Sequence, residues 1–212
     1  MVVKKWILLL ALVCTSSQAE TIQVEYSRFY SHIKKLDHED TQALQFAFGF
    51  LRVGEGRLCN ITSANIITDK QVIPVEVSLE NRFTLPSEKA LKLADANVEV
   101  TFEERANVCD MSVQLETKPE YLKTQYSRDD LLFLLEQYRA FFNAMGSFLS
   151  FMMPSVEGLV VQFRDDNISM PAGKERPAIT MGMTVLTESW IDEHQLLSLP
   201  EAPLRVTAKA IK

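Results

Sequence analysis

The hydrophobic period changes twice along this chain, and the change limits the folds open to it. From Leu44 to Leu115 apolar residues recur mostly at every second position. From Ser127 to Met152 they recur every third or fourth, and beyond Leu159 the period returns to two. Period two sends alternate side chains to opposite faces of a strand, whereas a period near 3.6 lines one face of a helix. Strands on either side of one long helix predict an α+β fold. The expected form is a mostly antiparallel sheet or sandwich with one amphipathic helix, about 127–152, packed on it.

In the first β-rich part, Phe46, Phe48 and Phe50 alternate with Gln45, Ala47 and Gly49, and Gly54-Glu55-Gly56 marks a turn. Leu58 to Thr68 reads as a second strand, with Cys59, Ile61 and Ser63 on one face. Ile73 to Leu79 reads as a third, and Phe83 to Leu85 as a short one after the Glu80-Asn81-Arg82 turn. Val98–Phe102 and Cys109–Leu115 close the series. Regularly spaced short strands separated by turn signals indicate antiparallel pairing. Ahead of them, Ile22 and Val24 fit a short strand, and Tyr26, Phe29, Tyr30 and Ile33 share one face of a short helix. Ser87 to Ala96 fits a short helix capped by Ser87.

Ser127 is placed to cap the long helix, with Asp130 completing a variant of the capping box. Leu131, Leu134, Leu135, Tyr138, Phe141, Phe142, Met145, Phe148, Leu149 and Met152 then keep the i, i+3, i+4 spacing until Pro154. Few positions are polar, so the helix is either sandwiched in the core or covered by a partner. After it, Leu159–Phe163 reads as a strand, 165–177 as a loop, Ile179–Val185 as a strand, Trp190–Leu197 as a short helix and Leu204–Ala210 as a last strand.

The N-terminus has a different character. Lys4 and Lys5 precede an apolar run from Trp6 to Cys14, then Thr15-Ser16-Ser17-Gln18-Ala19. A basic start, a short apolar stretch and small residues before the cut describe a secretory signal cleaved after Ala19. The apolar run has about nine residues, where a membrane-spanning helix needs roughly twenty. Bulky Val13 before Cys14 argues against lipid attachment there. Removal of residues 1–19 leaves 20–212, read as a single α+β domain with a β-rich part at 44–117 and helix plus strands at 127–211. It also takes Lys+Arg from 22 to 20 against 28 acids, a net charge of −8. No basic stripe remains for nucleic acid, and no later segment is long and apolar enough to span a membrane.

Cleavage removes Cys14 and leaves Cys59 and Cys109. Outside the cytoplasm a lone pair predicts a disulfide, here closing a loop of about 51 residues. Each cysteine falls in phase with the apolar residues of its strand, so both point inward.

Signals for chemistry are sparse. No G-x-S-x-G, Walker loop or G-x-G-x-x-G occurs. His32 and His38, with Asp37, Glu39 and Asp40, form the densest set of potential metal ligands, but their spacing fits no closed zinc site and a polar turn explains them. His194 reads as a solvated surface group, and the pairs Glu103-Glu104 and Asp165-Asp166 as solvent-facing acids. No metal or cofactor is expected. Tyr26, Tyr30, Phe133, Phe148, Phe151 and Met153 are candidates for an apolar binding surface, against the simpler reading that they are core.

Taken together, Tyr26-Ser27 with Tyr30, the pair Cys59 and Cys109, and Ser147-Phe148-Leu149-Ser150-Phe151-Met152-Met153-Pro154 leading into Gly158-Leu159-Val160 resemble a family of uncharacterised exported proteins from gammaproteobacteria, catalogued as a domain of unknown function. The resemblance implies a periplasmic address and supplies no catalytic residue. The expected function is a non-enzymatic binding or envelope-accessory protein, with an envelope protein or an apolar ligand as partner. The alternative is a periplasmic hydrolase using carboxylates or a histidine.

Overall fold

The computed structural model describes residues 19–145 and 155–211. The expected helical positions Gly146 to Met152, with Phe148 and Phe151, lie outside the described residues, as does Met153. The fold is α+β: mostly antiparallel sheets with one long helix.

Strand β1 (Glu20–Glu25) runs into helix α1 (Tyr26–Ile33), followed by β2 (Leu44–Arg52), β3 (Ile61–Ile67), β4 (Val72–Val75), α2 (Lys89–Leu93), β5 (Asn97–Phe102) and β6 (Cys109–Thr117). The second half comprises β7 (Gln125–Ser127), α3 (Arg128–Met145), β8 (Ser155–Gln162), β9 (Met183–Thr187), α4 (Glu188–Glu193), β10 (Leu196–Ser198) and β11 (Arg205–Ile211). Antiparallel sheets form in the orders β1-β5-β3-β4, β2-β6, β11-β8-β9 and β10-β7.

Two apolar cores result. Tyr26, Phe29, Phe48, Phe50, Phe83 and Phe102 dominate the first, which also holds both cysteines. Cys59 and Cys109 are joined as a disulfide with their Cα atoms 6.2 Å apart. Leu131, Leu134, Leu135 and Tyr138 of α3 pack on Leu159, Val161, Leu186 and Val206 of the three-stranded sheet to form the second. Phe46 touches both cores, with its ring 6.3 Å from Phe48 and 5.7 Å from Phe141. Because β2 carries Phe46, Phe48 and Phe50 in one phase, a single strand spans the junction.

The α3 start is the cap the sequence indicates. Ser127 Oγ accepts from the Asp130 N–H at 3.1 Å, and the Asp130 carboxylate accepts from the Ser127 N–H at 2.9 Å. Lys123 stands 2.8 Å from the same carboxylate and, with Ser127, holds Asp130 below the usual range. The helix packs on one core through more than its main stripe: Leu132 and Phe133, off that stripe, and Phe142 on it are half-buried against the same cluster, while Glu136 and Asn143 face solvent.

Elsewhere the structure departs from period-two expectations for local reasons. A register shift between Ile61 and Ser63 re-phases β3, so Ala64 and Ile66 face the core and Ser63 faces solvent. The strand expected over 73–79 stops at Val75, and Val77 and Phe83 are tied only by isolated bridges. Positive φ at Met181 and Gly182 (48° and 68°) makes a turn inside the strand expected over 179–185. In β9, Thr184 and Leu186 point inward while Met183 and Val185 face out. Ser87 is not the cap of α2; its hydroxyl donates to the Asp37 carboxylate at 2.7 Å. The helix expected over 190–197 is shorter and earlier, and Leu196–Ser198 pairs with β7 instead.

Candidate ligand cleft

Strand β6 pairs with β2 on one side only, and β11 pairs with β8 on one side only. The two strands lie beside each other at the junction of the two cores, without ladder hydrogen bonds between them among the described residues. Tyr138 of α3 bridges this seam from below. Its hydroxyl donates to the Val206 carbonyl of β11 at 2.7 Å and so accepts from the Thr117 hydroxyl of β6, 3.1 Å away. The ring is fully buried, and that burial pushes its phenol pKa far up, so it stays a neutral donor.

A shallow cleft of about 410 Å³, open to solvent along much of its length, lies along this seam. Val113, Leu115, Tyr138, Phe142 and Ala208 supply apolar wall, and Arg82, Gln114 and Thr207 supply polar groups. Small-molecule sites combine these features: mostly apolar lining, a few placed polar groups, and volumes of roughly 300–1,000 Å³.

Arg82 is delivered to the cleft by the Ser78–Arg82 turn. The Asn81 N–H bonds the Ser78 carbonyl at 2.9 Å, Asn81 adopts φ 59°, and the Ser78 N–H closes on the Arg82 carbonyl at 2.7 Å. The Arg82 stem then crosses β2 above Gly49. A methyl group at that glycine would stand 3.0 Å from the Asn81 carbonyl oxygen and 3.4 Å from Arg82 Cγ. The guanidinium reaches on to donate to the Ala47 carbonyl at 3.4 Å. Gly49 and the small Ala47 thus make the channel in which an arginine lies against a strand.

A polar network surrounds it on the second face of the β2–β6 pair. Arg205, nine-tenths buried, donates to Gln114 Oε1 at 3.0 Å and forms an ion pair with Glu80. Its Nε is buried without a partner among the described residues. Gln45 donates to Glu116 at 3.0 Å. Burial lifts the Glu116 carboxyl above its usual value, against the pull of Gln45, Arg205 and Arg82. Burial, and then the like charge of Arg205, lower the Arg82 guanidinium. That cation is held partly out of water with one long hydrogen bond and no ion pair among the described residues.

The residues singled out from sequence sit elsewhere or outside the described part. Tyr26 offers no surface: it is fully buried, donating to the Pro86 carbonyl and accepting from the Glu88 N–H at 3.0 Å. The amphipathic helix α1 turns Tyr26, Phe29 and Ile33 inward on one face. Tyr30 is half-buried beside it, with the Lys92 ammonium 5.7 Å above its ring. Phe133 rests on Tyr121 at 5.8 Å. The histidines are used locally. His32 meets Phe46 edge-on, His38 caps the 39–41 turn through Asp40 N–H, and His194 stacks on Trp190 at 4.2 Å. Among the described residues no group of three or more His, Cys, Asp or Glu side chains is placed to hold a metal ion.

Sequence reasoning passed over Arg82, Phe142 as a wall, and Arg205. Two signals pointed to Arg82, and none to Phe142 or Arg205. The β2 positions opposite the phenylalanines are small rather than charged, and a turn arginine follows them in the chain.

Residues 18–163 match the family described as Protein of unknown function (DUF2987). The chain belongs to that family. The matched span contains Arg82, β6, Tyr138 and Phe142, while β9, β10 and β11, with Arg205, lie beyond it. No curated protein and no solved structure matches the chain.

Proposed function

We propose that this is an exported protein of the periplasm, in a gammaproteobacterium, that binds a small apolar or amphipathic molecule in the seam cleft and carries out no catalysis. The carrying observation is the cleft itself: an apolar-walled groove between two unpaired strand edges, with an arginine at its side that forms no ion pair among the described residues. The leader-like N-terminus supports the address, and a buried disulfide suits an oxidising compartment. The tyrosine bridge keeps the seam fixed in width, so the groove is preformed and binding need not first order it.

A neutral solvatochromic dye such as Nile red tests the reading. The protein should enhance its emission saturably, and Phe142→Asp, or the more conservative wall change Val113→Lys, should abolish the enhancement while the melting curve stays cooperative. Unchanged dye binding in both folded variants would place the site elsewhere and refute the proposal.

A further inference from the structure

We infer that the molecule held in the seam cleft carries a single carboxylate seated on the Arg82 guanidinium, which makes it a single-chain amphiphilic carboxylate of the fatty-acid class. This inference rests on the cleft being the binding site. It is carried by the uneven use of the two arginines. Arg205 is consumed by the fold: Glu80 and Gln114 take its terminal nitrogens, and its Nε is sealed off. Arg82, by contrast, lines the cleft and among the described residues spends one donor, on the Ala47 carbonyl at 3.4 Å. A guanidinium presents five donors in a planar fork matched to a carboxylate. The turn and the Gly49 channel hold the stem in place, so the fork is oriented before any ligand arrives.

The surroundings also select the charge. Glu80 and Glu116 act on Arg82 from nearby, so the site holds two cations against two carboxylates. A further anion is therefore favoured only by direct pairing with the Arg82 fork, and a dianionic phosphate monoester would meet about twice the repulsion from the two acids that a monoanion does. Val113, Leu115, Phe142 and Ala208 offer an alkyl chain apolar contact, and the other polar groups of the wall, Gln114 and Thr207, carry no charge to pair a second anionic group. A neutral ligand would cover Arg82 without pairing it, an unfavourable burial of charge.

The test is displacement of Nile red from the full protein, stripped of ligand, by three ten-carbon probes: decanoate, decanol and 1-decanoyl lysophosphatidylglycerol. Decanoate should bind about tenfold tighter than decanol or better, the scale of one charge-assisted hydrogen-bonded pair. Arg82→Gln should bring decanoate down to the decanol level while decanol binds as well as before or more tightly, and Arg82→Lys should fall between. A cooperative melting curve is the control for folding. Equal affinities for decanoate and decanol, with the dye still bound, would overturn the carboxylate but leave the cleft. Preference for the lysolipid over decanoate would assign the arginine to a phosphodiester headgroup and overturn the carboxylate as well. Absence of dye binding would remove the cleft reading and this inference with it.

Discussion

Replacing Tyr138 by phenylalanine removes one oxygen atom from the seam and nothing from its packing. The hydroxyl ties β6 to β11 from the α3 side, donating to Val206 and accepting from Thr117, while Arg205 of β11 bonds Gln114 of β6 directly. Both partners are buried, Thr117 at 1% exposure and Val206 at 1%. In the variant the Val206 carbonyl loses its side-chain donor and the Thr117 hydroxyl loses its acceptor. Each neutral hydrogen bond is worth about 1 kcal/mol net, and an unsatisfied buried group costs about 1–3 kcal/mol. The expected loss is therefore about 2–4 kcal/mol, read as a shift of the urea midpoint at constant slope. Thr117→Val in the Tyr138→Phe background should recover about 1 kcal/mol, because it removes the orphaned donor and keeps the shape. A loss below about 0.5 kcal/mol for Tyr138→Phe, or strict additivity of the two changes, would show that the tyrosine bridge does not hold the seam.

Other perturbations read other parts of the molecule. Reducing the Cys59–Cys109 bridge frees a loop of about 51 residues, and the chain-entropy relation gives a loss of up to about 4 kcal/mol in urea unfolding; an unchanged midpoint under dithiothreitol would deny the bridge. Ser127→Ala should cost about 1 kcal/mol through the lost cap of α3, with the helical circular-dichroism signal retained below the transition. Glu116 has its carboxyl raised by burial, so the folded state binds its proton more tightly than the unfolded chain does. Stability therefore falls as pH climbs from the unfolded value near ~4.3 through the folded one. Glu116→Gln should unfold at higher urea than the parent at pH 8 and at the same urea at pH 3; a lower midpoint at pH 8 would reverse the sign. Gly49→Ala should cost about 1–3 kcal/mol by forcing the Asn81–Arg82 turn off β2, with weaker ligand binding as its second readout.

The sequence carried the large divisions well because they rest on long periodic stretches. Phe46, Phe48 and Phe50 announced β2, Ser127 and Asp130 announced the start of α3, and in-phase Cys59 and Cys109 announced the bridge. Where it misled, one residue had changed the phase. The irregularity after Ile61 and the Met181–Gly182 turn are backbone events, and a list of apolar positions does not record them. The cleft was harder to read because its parts come from separated places: a turn at 78–82, an edge of β6, two residues of α3 and an edge of β11. Only their juxtaposition makes Arg82 notable. Tyr26 shows the reverse case, an aromatic that stands out in the sequence and is consumed by the core.

Native mass spectrometry of the protein, expressed from its complete reading frame and collected from the bacterial envelope, bears most directly on the central claim. The account predicts a chain lacking residues 1–19 and two hydrogens lighter for the disulfide, carrying a small-molecule adduct that is depleted in both the Phe142→Asp and Arg82→Gln proteins. An uncleaved chain, or one without adduct in the parent and both variants, would contradict it.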